Sequence, residues 1–401
     1  MLVSLMLMAQ DLRVLVEFIT EHNIHILEGS SENHDAGMAV CEATGHWPEH
    51  ASPDILFVFH SSGQHAASVA AHLSERFPDT IVTGCSTAGE WLTGQHRSGS
   101  LVLMGLTTPS IRWAVRVLDN LNGALAENAK SVCDDLLQQL DVDWKDLNAE
   151  NFFCLSFFDG LSKREEPVIA AIAAELGDIP LLGGSAGDDL KFEGAFVIAN
   201  GKAYQHAAVF VMADCKLPFR TIKHQHFIPG DIDVVITKAD VANRIVYRLD
   251  GMPAAQRYAQ LLGLDVADLT PQIFSHHPLI YPYANECYVR ALRQVCHDDG
   301  LEFGCAIEEG MVLNLCQHQD MSLSYHQLMS ELKQSMGEIQ LLLACNCIYR
   351  ALEGNSENIN QQLAEHTGTV AEHMIGFDTY GEQWQGLHVN QSLVALVLGK
   401  E

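Results

Sequence analysis

The chain has 401 residues, of which 48% are hydrophobic and 18% are charged. This length favours two or three domains, and this composition can bury a large core, which excludes intrinsic disorder for most of the chain. The 23 basic and 51 acidic residues give a net charge of −28 with neutral histidine. Such a charge repels phosphate backbones and anionic lipids, so we expect neither nucleic acid nor a membrane among the partners.

The opening of the chain and its cysteines indicate a cytoplasmic protein. Residues 1–8 contain no basic residue and run into polar Gln10 and Asp11, which makes them a poor secretory signal. No apolar run approaches the roughly 18 residues that a membrane helix needs. The eleven cysteines are odd in number and lack the spacing of a disulfide scaffold, so we expect reduced thiols.

The first half of the chain alternates strand and helix patterns. Short apolar runs predict buried strands, and apolar residues at helical spacing predict helices. The predicted strands are 55–59, 80–83, 101–106, 113–118 and 152–158, and the predicted helices lie within 61–72, 125–140 and 164–176. A tight glycine turn is expected at 183–187 and a hairpin across 195–212. This order predicts an α/β fold built from layered mixed sheets.

The alternation of strand and helix patterns is interrupted near residues 214–230, and we place a domain boundary there. The prediction is an N-terminal α/β domain over 1–222 and a C-terminal ligand-binding domain over 223–401, of the α+β type. No repeat at solenoid periods is evident. The elements predicted in the second half are strands at 232–237, 245–249, 287–293, 302–307, 310–316, 339–347 and 392–398, and helices at 253–263 and 326–336.

Motifs for catalysis are weak. The string GGSAG at 183–187 matches the nucleophile elbow of hydrolases, but the segment 188–194 behind it is too short for the helix that such an elbow needs. Neither a phosphate-binding loop nor a dinucleotide fingerprint is present. An enzyme built on Ser185 or Cys85 is therefore the third hypothesis, and it ranks after two hypotheses in which the protein binds a ligand without catalysis.

Two cysteines share one face of a predicted strand. Cys345 and Cys347 are separated by one residue, so their side chains point to the same side. We favour a buried pair of small side chains, and a pair of metal or cluster ligands is the open alternative.

Eight segments resemble one known family. In chain order they are GCSTAGE (84–90), FDGLS (158–162), PLLGGSAGD (180–188), RIVYRLDGMPA (244–254), ECYVR (286–290), FGCAIEEG (303–310), CIYR (347–350) and GFDTYGEQ (376–383). They resemble the FIST (F-box and intracellular signal transduction) sensory proteins, with a FIST N-terminal domain followed by a FIST C-terminal domain.

The resemblance implies ligand sensing and not catalysis. Stand-alone bacterial FIST proteins include the nitric-oxide-sensing haemoproteins called NosP, which regulate histidine kinases or cyclic-di-GMP enzymes. The resemblance thus implies a haem-based sensor of nitric oxide whose partner is a sensor histidine kinase, a diguanylate cyclase or a phosphodiesterase, with a homodimer left open. The family was also proposed to bind small ligands such as amino acids, so a haem-free metabolite sensor is the alternative.

The distribution of charges and of candidate iron ligands favours the middle of the chain as a haem site. Residues 201–300 hold ten basic and ten acidic side chains, whereas every other hundred is acidic. Haem b needs an axial donor, an apolar slot and cations near its propionates, and without a C-x-x-C-H motif it would be held non-covalently. The candidate iron ligands in order of preference are His226, His277 and His388; Phe227 would wall the ring, and Arg244 and Arg290 would face the propionates.

Overall fold

The computed structural model describes residues 24–283, 286–355 and 358–400, without the side chains of Tyr283 and His318. Residues 1–8, which we interpreted above as a poor secretory signal, lie outside the described residues. The predicted α/β class with mixed sheets is confirmed, because helices cover four sheets of which three combine parallel and antiparallel strands.

Most of the chain consists of three copies of one unit, each with the order strand, helix, strand, helix, strand, hairpin, strand. The first unit contains β1 His25–Ser31, α1 Ala36–Thr44, β2 Ile55–Ser61, α2 Ala66–Arg76, β3 Ile81–Thr87, β4 Glu90–Leu92, β5 Gln95–Arg97 and β6 Leu101–Thr107. The second unit contains β7 Ile111–Leu118, α3 Leu125–Leu140, a 3₁₀ turn Trp144–Asp146, β8 Phe152–Asp159, α4 Glu165–Leu176, β9 Leu181–Ala186, β10 Val197–Ala199, β11 Lys202–Tyr204 and β12 Ala208–Cys215.

The third unit carries a large insertion after its first strand, β13 Phe219–His224. The insertion contains β14 Phe227–Asp240, β15 Ile245–Leu249, β16 Met252–Pro253, α5 Ala254–Leu262, a 3₁₀ turn Val266–Asp268, α6 Pro271–His276, β17 Leu279–Tyr283, β18 Glu286–Arg290, β19 Leu292–Val295, β20 Leu301–Phe303 and β21 Val312–His318. The unit then continues with α7 Met321–Met336, β22 Ile339–Cys347, α8 Ile348–Asn355, α9 Ile359–Thr367, β23 Ala371–Thr379, β24 Glu382–Trp384, β25 Leu387–Val389 and β26 Leu393–Gly399.

The three units interlock by exchanging hairpins. Within each unit the two central strands are parallel, as in β2 and β3, and the last strand pairs antiparallel with the first of them. Each sheet is then completed by a hairpin from another unit: β10–β11 pairs with β3, β24–β25 with β9, and β4–β5 with β23. The hairpins thereby cover the free sides of β3, β9 and β23 in a closed cycle, so that these strands are not at a sheet edge.

The inner faces of the three sheets share one central core, and helices cover the outer faces. Phe59, Phe157 and Phe377 meet on this axis, with ring centroids 4.5 to 6.0 Å apart. Separate apolar clusters fill the space under α1 and α2, under α3 and α4, and under α7 and α9. The insertion has its own core and adds an eight-stranded sheet.

The expected glycine turn at 183–187 is wrong, because Gly183 and Gly184 lie inside strand β9. A Cβ atom at Gly183 would lie 1.8 Å from the carbonyl oxygen of Ser156 on the neighbouring strand. One at Gly184 would lie 2.8 Å from the ring of Phe377 in the central core. These glycines therefore permit close approach of strands rather than a reversal of the chain.

The predicted boundary between residues 222 and 223 falls within β13. The hairpin β4–β5 from the first half completes the sheet of the third unit, and β24–β25 from the second half completes the sheet of the second. Main-chain hydrogen bonds between strands therefore join the two halves of the chain.

Two buried carboxyl groups hold the exchanged hairpins. The carboxyl of Glu90 accepts hydrogen bonds from the Thr87 hydroxyl and from Ser100. Glu382 makes the same contacts in the third unit, at 2.5 Å from Thr379 and 2.7 Å from the hydroxyl of Ser392. Burial raises the pKa of both carboxyl groups to about 7 in spite of these hydrogen bonds.

These two carboxyl groups predict a pH-dependent stability. Between about pH 4.5 and 7 the folded chain binds more protons than the unfolded chain, so the free energy of unfolding should fall as the pH rises. Glu90→Gln should reduce this fall by up to about 3 kcal/mol, at roughly 1.4 kcal/mol per pKa unit. Urea unfolding of the two proteins across this pH range measures the difference. The exposed Glu49→Gln is the control, and equal slopes in Glu90→Gln and the parent chain would contradict the assignment.

Candidate ligand-binding site

A cleft of about 510 Å³, including the part open to solvent, lies beside the central axis, between the three-unit body and the insertion; we call it the axial cleft. It lies beyond the carboxyl ends of β8, β22 and β23, the position at which parallel strands usually present their ligand sites. Its lining residues come from four separate parts of the chain: Gly160, Lys163, Leu190, Phe192, Arg244, Ala291, Arg293, Gly304, Cys347, Ile348, Tyr349, Tyr380 and Asn390.

Segments that carry the family resemblance meet at this cleft. FDGLS contributes Gly160, FGCAIEEG contributes Gly304, CIYR contributes its first three residues and GFDTYGEQ contributes Tyr380. These segments are spread over more than 200 residues of sequence, and their convergence makes the axial cleft the leading candidate site.

Charges around the axial cleft are balanced. Glu302 lies 3.0 Å from Lys163 and 3.4 Å from Arg293. Arg244 is buried and pairs with Glu165 at 2.9 Å and with Glu166. Burial lowers the pKa of Arg244, but these carboxylates outweigh it and raise the pKa above its ordinary value. The three cations that line the cleft are thus paired with three carboxylates that are not themselves among its lining residues.

Aromatic side chains form the apolar wall of the axial cleft. The Arg293 guanidinium stacks over Phe192 at 4.5 Å, and Phe192 packs against Tyr380 with ring centroids 5.2 Å apart. The Tyr380 hydroxyl donates to Asp188 at 2.5 Å and accepts from the backbone N–H of Leu190 at 2.7 Å. The wall is therefore held in place by hydrogen bonds behind it.

The backbone at the rim is strained. Lys163, Leu190, Phe192 and Arg244 all have positive φ, between 54° and 61°. Non-glycine residues in this region cost of order 1–3 kcal/mol each, and such strain concentrates at binding and active sites. Asn390 adds a buried amide oxygen that has no hydrogen-bond partner among the described residues. These features fit a preformed polar binding site.

A second cleft lies on the other side of the Arg244–Glu166 ion pair; we call it the outer cleft. It measures about 750 Å³ including the part open to solvent, and its lining is mainly apolar. The residues that line it are Glu166, Ala170, Tyr281, Tyr288, Arg290, Ala306, Gly386, Leu387 and His388.

The structure separates the residues that the sequence grouped for haem. The ring of His226 is buried, with Nε2 2.9 and 3.0 Å from the Glu353 carboxylate and Nδ1 3.1 Å from Arg350. Phe227 packs on that ring at 4.2 Å, and neither residue lines either cleft.

The other predicted haem residues divide between the two clefts and the insertion. His277 follows α6, and its carbonyl oxygen accepts from the Tyr258 hydroxyl at 2.5 Å. Arg244 lines the axial cleft, whereas His388 and Arg290 both line the outer cleft. Of the predicted set, the structure therefore brings His226 and Phe227 together away from both clefts, and His388 and Arg290 together in the outer cleft.

Cys345 and Cys347 are buried in β22, and burial raises the pKa of both thiols. Among residues 24–283, 286–355 and 358–400, no group of three or more His, Cys, Asp or Glu side chains is placed to hold a metal ion. Also within these ranges, no helix combines the length and the apolar character that crossing a membrane requires.

The sequence reasoning missed Lys163, Phe192, Tyr380 and Asn390, as well as the threefold arrangement that brings them together. One signal was present in the sequence. Thr87, Gly89, Glu90, Gly94, His96, Ser100, Leu101 and Val102 recur at a constant offset of 292 as Thr379, Gly381, Glu382, Gly386, His388, Ser392, Leu393 and Val394.

Comparison with known proteins defines the class. A model described as the FIST N domain matches residues 54–252, and one described as the FIST C domain matches residues 254–385. The chain is therefore a FIST-domain protein, and FIST domains are sensory signalling modules.

Individual relatives add little about function. An uncharacterised protein of Methanocaldococcus jannaschii is 28% identical over 304 residues, which is 71% of this chain and 57% of that protein; this chain thus spans little more than half of its relative. Two solved structures were also compared, PurL of Thermotoga maritima complexed with FGAR and phosphoribosylformylglycinamidine synthase II of the same organism. They are 11% and 12% identical over 94% and 95% of this chain and 73% and 72% of theirs. Their TM-scores of 0.20 and 0.22 are too low to indicate a shared fold.

The buried ion pair between the clefts predicts a large effect on stability. Arg244→Met should lower the free energy of unfolding by about 3–5 kcal/mol, because it leaves buried Glu165 without its partner. Arg116→Met is the matched control, since the Arg116–Asp135 pair is exposed and should cost less than about 1 kcal/mol. Denaturant unfolding measures both, and equal losses would show that the buried pair is not a structural anchor.

Proposed function

We propose that this FIST protein is a sensor, and not an enzyme, that binds a small zwitterion such as an amino acid in the axial cleft. The observation that carries the proposal is the convergence of the family segments on this cleft. A balanced set of cations and carboxylates suits a ligand with both charges better than a simple anion, which would have to displace Glu302 or Glu165.

The lining supplies a partner for each part of such a ligand. A carboxylate would be oriented by Arg293, since an arginine fork matches carboxylate geometry. An ammonium group would donate to the unpartnered oxygen of Asn390. An apolar side chain would pack against Phe192 and Tyr349.

Helix α8 supports a route from the cleft to the rest of the molecule. Its first residues, Ile348 and Tyr349, line the cleft, and the Tyr349 hydroxyl donates to the Arg293 carbonyl of the insertion at 3.4 Å. The next residue, Arg350, contacts buried His226 at the base of the insertion. A ligand that repositions α8 would therefore change how the insertion packs on the body, and we propose that a sensor histidine kinase or cyclic-di-GMP enzyme reads this change.

Ligand screening tests the axial cleft. Thermal shift with the twenty standard amino acids should identify one or a few that stabilise the protein, and calorimetry should give their affinities. Arg293→Gln should weaken binding by about tenfold or more, because it removes the charged fork. Arg220→Gln is the control, since Arg220 is remote and bonds to Ser335. The proposal fails if no amino acid binds at about 1 mM, or if Arg293→Gln binds as the parent chain does.

A haem-based nitric oxide sensor is the second candidate, favoured by one observation: His388 faces the mainly apolar outer cleft beside Tyr281, Tyr288 and Arg290. The ring nitrogens of His226 contact Glu353 and Arg350 at 2.9 to 3.1 Å, whereas those of His388 make only longer contacts, at 3.4 Å, with the side-chain amides of Gln383 and Asn390. This difference favours His388 over His226 as the iron ligand. His388 would hold the iron and Arg290 a propionate. The bound group would supply an iron centre that binds nitric oxide.

Spectroscopy tests this candidate. Protein given haemin should show a stoichiometric Soret band that nitric oxide shifts, and His388→Ala should remove the band while the chain stays folded. His226→Ala is the matched comparison, because the sequence placed the ligand there. Absence of the band from the parent protein would exclude haem, and a band lost only in His226→Ala would return the ligand role to His226.

A further inference from the structure

The internal repeat provides a comparison for His388 within the same molecule. His96 and His388 hold the same position on two exchanged hairpins: His96 is paired with Trp91 across β4–β5, and His388 with Gln383 across β24–β25. Residue differences around them therefore show what each histidine does in the fold.

His96 has a structural partner. Its Nε2 atom lies 2.8 Å from Asp378, at the end of the strand on which the hairpin docks. Asp378 also accepts from Trp91 and from Asn346, each at 2.8 Å. Burial disfavours the charged imidazole, but the Asp378 carboxylate raises the pKa of His96 above its ordinary value. This histidine fastens the hairpin to β23.

His388 lacks the corresponding carboxylate. At the equivalent place on β9 stands Ser185, whose hydroxyl accepts from Gln383 at 2.9 Å. The two ring nitrogens of His388 lie 3.4 Å from the amide nitrogens of Gln383 and Asn390. Within the described part of the chain, no carboxylate lies within 4.0 Å of this ring.

The fold itself does not require a histidine at this position. The hairpin of the second unit has Ala203 there, paired with Ile198. Glu166 lines the same cleft as His388 and interacts with it electrostatically, but its two oxygens are already engaged by Arg244 and by the backbone N–H of Ala306. His388 is therefore a buried imidazole at a cleft wall, with amide neighbours at 3.4 Å and an electrostatic partner, Glu166, that it shares with Arg244.

Arg290 lines the same cleft, and its side chain hydrogen-bonds to the buried thiol of Cys305. Arg290 has a buried Nε atom without a hydrogen-bond partner, and among the described residues no carboxylate forms an ion pair with it. In a chain of net charge −28, an arginine left without a carboxylate is unexpected. Its guanidinium lies 5.7 Å from the ring centroid of Tyr281 on the neighbouring strand, and Tyr281 is paired with Tyr288, which is on the same strand as Arg290.

We propose that the outer cleft is a second ligand site, specific for a flat aromatic molecule that carries a carboxylate. The carboxylate binds Arg290, the ring packs against Tyr281, Tyr288 and Leu387, and a polar or metal-bearing part of the ligand meets His388. A free aromatic acid and a porphyrin share this chemistry. The residues that line this cleft are different from those that line the axial cleft.

The test uses two probes on the full chain, 4-hydroxybenzoate by calorimetry and haemin by absorbance titration. At least one should bind, and His388→Ala and Arg290→Met should each weaken that binding by about tenfold or more. Binding of only 4-hydroxybenzoate identifies a free aromatic acid, and binding of only haemin identifies a porphyrin. Amino acid binding should be unchanged in Arg290→Met, which separates this result from the axial cleft.

His96→Ala is the matched control. It should lower the melting temperature, because it removes the partner of buried Asp378, and it should keep the affinity for the probe. Ser185→Asp is the converse test. A carboxylate at this position would pair with His388 as Asp378 pairs with His96, so probe binding should be abolished while the protein remains folded. The proposal is overturned if neither probe binds the parent chain, or if His388→Ala and Arg290→Met both bind as tightly as it does.

Discussion

Three backbone hydrogen bonds close the structure around its central axis. The N–H of Ala88 donates to the carbonyl of Asp378, that of Tyr380 to Ser185, and that of Gly187 to Ser86, at 2.9 to 3.1 Å. Each bond leads from one unit to the next, so together they form a ring. Because buried backbone groups need partners, no unit can leave without exposing the strand ends of the other two.

This ring also explains where ligands can be bound. The chain segments that follow the parallel strands must all emerge beside the axis, and there the insertion covers them. Two clefts result, divided by the ion pair of Arg244 with Glu166. The strained backbone of Leu190 and Phe192 persists because the surrounding bonds of Asp188 and Tyr380 over-determine it. The contacts that stabilise the fold therefore also determine the shape of the candidate site.

Much of the local structure was predictable. The helix over 125–140 and the strand over 339–347 follow directly from the spacing of apolar residues, and both appear with those bounds. The glycines at 183 and 184 misled the prediction, because glycine favours turns in general and here permits two strands to touch. The exchange of hairpins could not be foreseen, since short strands such as β10 and β24 carry too little periodicity to identify their partners.

The candidate site shows the same division. The sequence alone established the FIST resemblance, the acidic charge and the set of histidines and arginines able to bind a ligand. It could not distinguish among those histidines, because a side chain's chemistry depends on neighbours that are remote in sequence. His96 and His388 hold equivalent positions in two segments, 87–102 and 379–394, that share eight of sixteen residues, yet Asp378 engages one histidine and Ser185 leaves the other at a cleft wall. Only the tertiary structure, by joining residues some 200 to 280 positions apart, decided which imidazole pairs with a carboxylate and which lines a cleft.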